Sequence, residues 1–266
     1  MEKQAKERLG LCRRIAKKAE AILKRKGSRE KKGLNPLGHH SIVADLEIER
    51  MVAGELRNSA SVLVSEEGGE IPLAGKSGEI VVCDPLDGSR NFRRGVPPYC
   101  IALSFSHSRA YSGIYFSYVN DLACGNEFWA DEKSSFRNGK IISTSRLMEL
   151  RDARIEIDQA KSMQDYGRFL PLLSSVKDTR RLGANALALC HLACGATDAF
   201  IDLRGTLSIV HVAGLHIAEK AGAVITGEKG EPALPALELK SSQRIAFVAS
   251  ANRKLHSAIL EQLRKG

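Results

Sequence analysis

Long apolar runs are missing from this chain. No stretch approaches the ~18 uncharged apolar residues that a membrane-spanning helix needs, so no span is expected. The opening residues, MEKQAKERLGLCRRIAKKAEAILKRK, are basic but carry neither the apolar core nor the small-residue cleavage site of a signal peptide, and the expected location is the cytoplasm. None of the six cysteines, at 12, 83, 100, 124, 190 and 194, forms a CxxC pair, which argues against a zinc ribbon and leaves reduced thiols as the expectation. Cys190 and Cys194 fall on one face of a helix, where core packing is expected. Aromatic residues make up only 5% of the chain, with a single tryptophan, so there is little ring surface on which a purine could stack.

What is present is ordinary globular material: 266 residues, 43% hydrophobic and 27% charged, enough for one large domain or two intimate halves. Acidic residues are outnumbered, 31 against 40 lysines and arginines, for a net charge of +9. Much of the excess is local, with Lys3, Arg8, Arg13, Lys18, Arg25, Arg29, Lys31 and their neighbours crowding residues 1–33. A solvated helix face is the expected reading; RNA binding or attraction of a phosphorylated metabolite would also use such charge.

Residues 2–26 space Leu9, Cys12, Ile15, Ala19, Ile22 and Leu23 for a helix, and GSREKKGLNPLGHH (27–40) reads as an exposed loop. DLEIERMVAGEL (45–56) returns to helical period. Strand-like runs follow at 61–65, 78–84, 99–107 and 110–119, predicting a mainly antiparallel sheet. The second half alternates: strands at 154–159, 198–203 and 244–250, helices at 184–195 and 212–223, and a terminal amphipathic helix. This predicts an α+β half over 1–145 and an α/β half over 146–266.

Two of these strands end in acid. SVLVS runs into Glu66 and Glu67, and GEIVVC into Asp84 and, after Pro-Leu, Asp87. Like charges this close repel unless a cation lies between them, and carboxylate and carbonyl oxygens are the donors magnesium prefers. Pro85 stiffens the turn, Gly88 permits a conformation other residues resist, and the Ser89 hydroxyl stands beside the cluster, where it could orient a water. Metal-activated water suits hydrolysis of a phosphate ester. Taken alone, DPLDG could equally be an Asx-capped surface turn.

SEEGG (65–69) followed by DPLDGSRNF (84–92) resembles the two signature motifs of the inositol monophosphatase family, and HVAGLHIAEKAGAVIT (211–226) resembles its third. The resemblance implies a five-layer α-β-α-β-α sandwich and a magnesium-dependent phosphatase, with two or three ions and a homodimeric assembly. It places Glu66, Asp84 and the Leu86 carbonyl on a first metal, and Asp84 and Asp87 on a second. Ser89 takes the place of the family's water-positioning threonine, with Asp45 as its acidic partner and Glu67 in support. Gly88 and Ser89 N–H groups would grip phosphate; Gly183, Ala184, Asn185 and Asp202 would form the leaving-group pocket; Arg204, together with Arg180 or Arg181, would meet a second phosphate.

The chain departs from the third motif, which normally supplies an aspartate to the second metal. An ungapped reading back from KAGA puts Val210 at that position, whereas matching HVAG to the family's DVAG puts His211 there. His211 is preferred because imidazole ligates metals and valine does not, which admits Mn²⁺ or Zn²⁺ beside Mg²⁺. FIDLRGTL (200–207) resembles archaeal members, which act on inositol 1-phosphate and fructose 1,6-bisphosphate. An adenosine 3′,5′-bisphosphate phosphatase, and a degenerate member that binds phosphate ligands or RNA without turnover, are the alternatives.

Overall fold

The computed structural model describes residues 3–34, 40–158 and 163–266. Helix α1 (Lys3–Leu23) buries Leu9, Cys12, Ile15, Ala16, Ala19 and Ile22 on one stripe, as its spacing predicts. Some of the basic charge on and just after it is paired: Arg13 reaches Glu127 at 2.9 Å, Arg25 reaches Glu47 at 2.9 Å, and Lys18 pairs with Glu55. The stretch expected to be a loop instead contains two short strands. β1 (Lys31–Leu34) and β2 (His40–Ile42) pair antiparallel, with every residue of β1 exposed; residues 35–39 of that expectation lie outside the described residues. Helix α2 (Val43–Leu56) follows directly.

The first sheet comprises β3 (Val62–Ser65), β4 (Gly69–Pro72), β5 (Ile80–Asp87), β6 (Cys100–Ser106), β7 (Ile114–Asp121), β8 (Glu127–Ala130), β9 (Ser135–Arg137) and β10 (Lys140–Ile142). Its order is β10-β9-β8-β7-β6-β5-β3-β4, antiparallel throughout except for the parallel pair β3–β5. A short helix, α3 (Ser89–Arg94), leaves the end of β5. The run at 110–119 starts as a 3₁₀ turn, Tyr111–Gly113, and becomes strand only at Ile114.

The second sheet comprises β11 (Arg154–Asp158), β12 (Asp178–Arg180), β13 (Ala199–Ser208), β14 (Val224–Thr226) and β15 (Arg244–Ser250), in the order β12-β11-β13-β15-β14. β11 is parallel to both neighbours, whereas the β15 pairings are antiparallel. Four helices complete the chain: α4 (Met163–Leu173), α5 (Asn185–Ala193), α6 (Val212–Lys220) and α7 (Arg253–Leu263).

Strand alternation builds the layers. On β5, Val81 and Cys83 pack under α1 and α2, while Ile80 and Val82 face the other way, onto α5 and α6. On β13, Phe200 points back toward that same middle helix layer, and Ala199 and Ile201 pack against α4 and α7. The result is an α-β-α-β-α sandwich of five layers with three apolar interfaces. Each fully buried Leu, Ile or Phe in them contributes roughly 1.5–3 kcal/mol. No helix among the described residues is long and apolar enough to cross a membrane.

Candidate active site

The parallel pairing of β3 with β5 sets the site's position. Its register places Ser65 opposite Cys83, so Glu66, the first residue past β3, comes out beside Asp84 on β5. Asp84 and Asp87, three apart, would face opposite sides of a regular strand. The ladder with β6 is irregular between them, and this kink brings both carboxylates toward His211. His211 closes the turn Ile209–His211 that joins β13 to α6. Carboxylates from the first sheet thus meet an imidazole held between the two sheets.

Part of each carboxylate is committed to the backbone. Asp84 Oδ1 accepts from the Leu86 N–H at 3.0 Å; Asp87 Oδ2 accepts from the Ala186 N–H at 2.7 Å, at the start of α5. Two atoms are left over. Asp84 Oδ2 and His211 Nδ1 lie 3.3 Å apart, both buried and neither hydrogen-bonded. One ligating atom from each of Glu66, Asp84 and His211 lies within 4.8 Å of the others, the one such convergence of three ligating side chains among the described residues. Burial drives the Asp84 carboxyl well above its ordinary pKa, and Glu66, Asp87 and Asp45 push it further. Burial raises Asp87 too, opposed by His211 and by the Ala186 and Asn185 N–H groups. Unpartnered polar atoms so deeply buried cost several kcal/mol in order of magnitude. A divalent cation among them removes that cost and reverses the charge balance, so the donor set fits a metal ion.

The site opens into a cleft of about 430 Å³. Its wall brings together Glu66, Glu67, Asp84, Leu86, Asp87, Gly88, Ser89, Gly183, Asn185, Arg204 and His211, all singled out from the sequence. Asp45, Ala184 and Asp202 are buried and are not part of that wall. Asp45 Oδ2 accepts from the Ile42 N–H at 2.8 Å, and burial, then Glu67 and Glu66, pushes its pKa up to about 8. The Ser41 hydroxyl donates to Glu67. Val210 is buried with no exposed surface, whereas His211 is the residue at the carboxylates.

Asp202 and Arg204 form a unit. The Arg204 guanidinium donates to Asp202 at 2.6 Å and also reaches Asp158 at 2.7 Å, while Arg181 reaches the other Asp158 oxygen at 2.8 Å. Asp158 was not singled out from the sequence, yet it lines the cleft and organises both arginines. The signal that revealed Asp84, an acid at the C-terminal tip of an apolar strand, was also present in RIEID. Asn91 was missed too; its side-chain amide donates to the Pro98 and Leu182 carbonyls at 2.9 and 2.7 Å, tying α3 to the loop carrying Gly183. Gly88 sits at φ 83°, and a Cβ there would stand 2.8 Å from the Pro98 carbonyl oxygen, so glycine is required where the chain turns into α3.

A larger recess of about 890 Å³ lies where α1 ends, against Phe92, Tyr99 and Leu122, and brings together no convergent ligating set among the described residues.

Known proteins share both the sequence and this architecture. A family profile described as "Inositol monophosphatase family" matches residues 2–266. A fructose-1,6-bisphosphatase/inositol-1-monophosphatase of Archaeoglobus fulgidus is 34% identical over 236 residues, covering 87% of each chain. The Nus factor SuhB of Vibrio cholerae is 30% identical over 236 residues, covering 84% of this chain and 85% of its own. A solved inositol monophosphatase–fructose 1,6-bisphosphatase superposes with a TM-score of 0.82 at 25% identity, over 98% of this chain and all of that one. The chain belongs to the inositol monophosphatase family.

Proposed function

We propose that the chain is a metal-dependent phosphomonoesterase that hydrolyses a small sugar or inositol phosphate, with inositol 1-phosphate and fructose 1,6-bisphosphate as the substrates of choice. Its family is one of phosphatases, and the observation that carries the metal-dependent reading is the buried, unpartnered pair Asp84 Oδ2 and His211 Nδ1 beside Glu66. The substrates come from the name carried by the Archaeoglobus relative.

In this reading Glu66, Asp84 and His211 would hold the ion, with Asp87 and the Leu86 carbonyl as further oxygen donors. When bound, a Mg²⁺, Mn²⁺ or Zn²⁺ ion supplies Lewis acidity toward water and neutralises phosphate charge. Ser89 orients the attacking water from the floor of the cleft, and Glu67, itself held by Ser41, supports that hydroxyl's surroundings. Asp45, with a pKa near 8, can hold a proton at neutral pH on the far side of the two glutamates. Asp87 fixes the start of α5 through the Ala186 N–H and so sets the wall on which Gly183 and Asn185 meet the leaving group. We also propose a cytoplasmic homodimer.

The replacement of the third-motif aspartate by His211 favours one other reading, a family member that binds phosphate ligands without turnover. Phosphate release from a panel of sugar, inositol and nucleotide esters separates the two, run with chelator and with each of Mg²⁺, Mn²⁺ and Zn²⁺. Turnover that needs added metal supports the enzyme; ligand-dependent stabilisation with no turnover under any metal supports the binding protein.

A further inference from the structure

The loop between β12 and α5, residues 181–184, supplies the cleft wall at Arg181, Leu182 and Gly183, yet little apolar packing holds it. Arg181 and Gly183 are exposed, and Leu182 is only half-buried. Hydrogen bonds fix the loop instead, and two of them converge on one residue. The Leu182 N–H donates to Glu156 Oε1 on β11 at 3.0 Å, and the Leu182 carbonyl accepts from the Asn91 amide on α3 at 2.7 Å. The same amide donates to the Pro98 carbonyl at 2.9 Å. Both of its partners are acceptors, so an NH₂ group with two donors matches them and a carboxylate does not. Asp158, two residues past Glu156 on the same face of β11, takes the Arg181 side chain at 2.8 Å. The loop is therefore held from both sheets: by Glu156 and Asp158 on the second, and from the first by Asn91 and, at the start of α5, by Asp87.

We propose that Asn91 is a positioning residue which, with Glu156 as its counterpart, sets the wall at Gly183 and Asn185 relative to Ser89 through the Leu182 peptide. The proposal rests on the phosphatase reading. Ser89 and Asn91 stand two apart on α3, so the bond that fixes Asn91 to Leu182 also fixes the spacing between the attacking-water side and the leaving-group side. Gly183 follows directly in the chain. A Cβ there would stand 3.6 Å from the Asn91 amide nitrogen, so the two segments meet at van der Waals distance. A displacement on the order of 1 Å at such a place costs up to ~100-fold in rate, although no reacting group is removed. Asn91 lines the cleft, whereas Glu156 is buried and is not part of the wall. Glu156 thus separates positioning from direct contact with substrate.

The test reads, within each protein, the ratio of kcat/KM for inositol 1-phosphate to that for 4-nitrophenyl phosphate, whose leaving group offers the wall no hydroxyls. Asn91→Ala should lower the ratio roughly tenfold or more. Asn91→Asp keeps the shape but turns a carboxylate on two carbonyls; it should lower the ratio at least as far, and it carries the test if the alanine variant does not fold. Glu156→Leu, from the other side of the same peptide, should move the ratio the same way, whereas Glu156→Gln, which keeps the acceptor, should restore most of it. Because both residues act through Leu182, the ratio in Asn91→Ala/Glu156→Leu should fall by less than the product of the two single effects. Single effects that simply multiply overturn the proposal. Equal losses on both esters mark a general loss of structure and also overturn it, as does a fall in the Asn91 variants with none in Glu156→Leu, which marks direct contact. If wild type turns over neither ester with Mg²⁺, Mn²⁺ or Zn²⁺, the phosphatase reading fails, and calorimetry on metal-loaded protein decides the positioning role. Weaker binding of inositol 1-phosphate with unchanged binding of inorganic phosphate, in both Asn91→Ala and Glu156→Leu, upholds it; any other pattern overturns it.

Discussion

His211 Nδ1 stands 3.3 Å from Asp84 Oδ2 in the buried floor of the cleft, and neither atom has a hydrogen-bond partner. By the resemblance of HVAG to the family's DVAG, an aspartate would be expected at this place. An imidazole there contributes a neutral donor in place of a charge, which changes which cation the site prefers and how tightly it holds it.

Replacement of His211 therefore has an asymmetric outcome. His211→Asp should lower the Mg²⁺ concentration needed for half-maximal activity and erase any advantage of Mn²⁺ or Zn²⁺. His211→Ala should weaken activation by every divalent ion, by at least roughly tenfold. Activity titrated with each metal in the three proteins checks both; tighter Mg²⁺ binding in Val210→Asp instead would transfer the ligand role to that position.

Asp84→Asn should separate function from stability. It removes a carboxylate that burial and three acidic neighbours disfavour in the charged form. Metal-free protein should therefore melt at a higher temperature than wild type, while phosphate release is abolished. Calorimetry in chelator, beside the activity assay, shows both effects together.

Glu156 gives the stability of the protein a slope in pH. Burial raises its pKa to about 8, despite the Leu182 N–H donated to it at 3.0 Å. The folded state thus binds this proton more tightly than the unfolded chain, whose glutamates titrate near ~4.3. Its contribution is full below that value and is lost as pH rises through about 8. Melting temperature in chelator should fall between about pH 4 and pH 8, and Glu156→Gln, which keeps an acceptor for Leu182, should flatten the fall.

Gly88→Ala tests the turn into α3. A side chain at φ 83° is strained, and its Cβ would press to 2.8 Å on the Pro98 carbonyl oxygen. A loss of about 1–3 kcal/mol in denaturant unfolding is expected, with lower kcat from displacement of Ser89.

Much of this was legible in the sequence for identifiable reasons. Apolar runs mark Ile80–Cys83 and Arg244–Ser250, whose strands are packed on both faces, and a period of 3.6 marks the buried stripe of α1. Short exposed strands carry no such pattern; β1 reads as KKGL and is exposed throughout, so its pairing with β2 was invisible. The clustered acids Glu66, Asp84 and Asp87 were legible because each follows an apolar run. Asp202 was expected at the substrate, but only three-dimensional packing shows it buried and committed to Arg204, with Asp158 at the cleft in its stead. Asn91 bonds across 91 residues to Leu182, a separation no local signal spans.

The central claim is that Glu66, Asp84 and His211 hold a divalent ion over which a phosphate ester is cleaved. Anomalous scattering at the manganese edge, from crystals grown with Mn²⁺ and inorganic phosphate, tests it most directly. The account predicts a peak within bonding distance of a Glu66 oxygen, Asp84 Oδ2 and His211 Nδ1, with phosphate beside it in the cleft. A site with no peak, or one from which His211 is turned away, would contradict it.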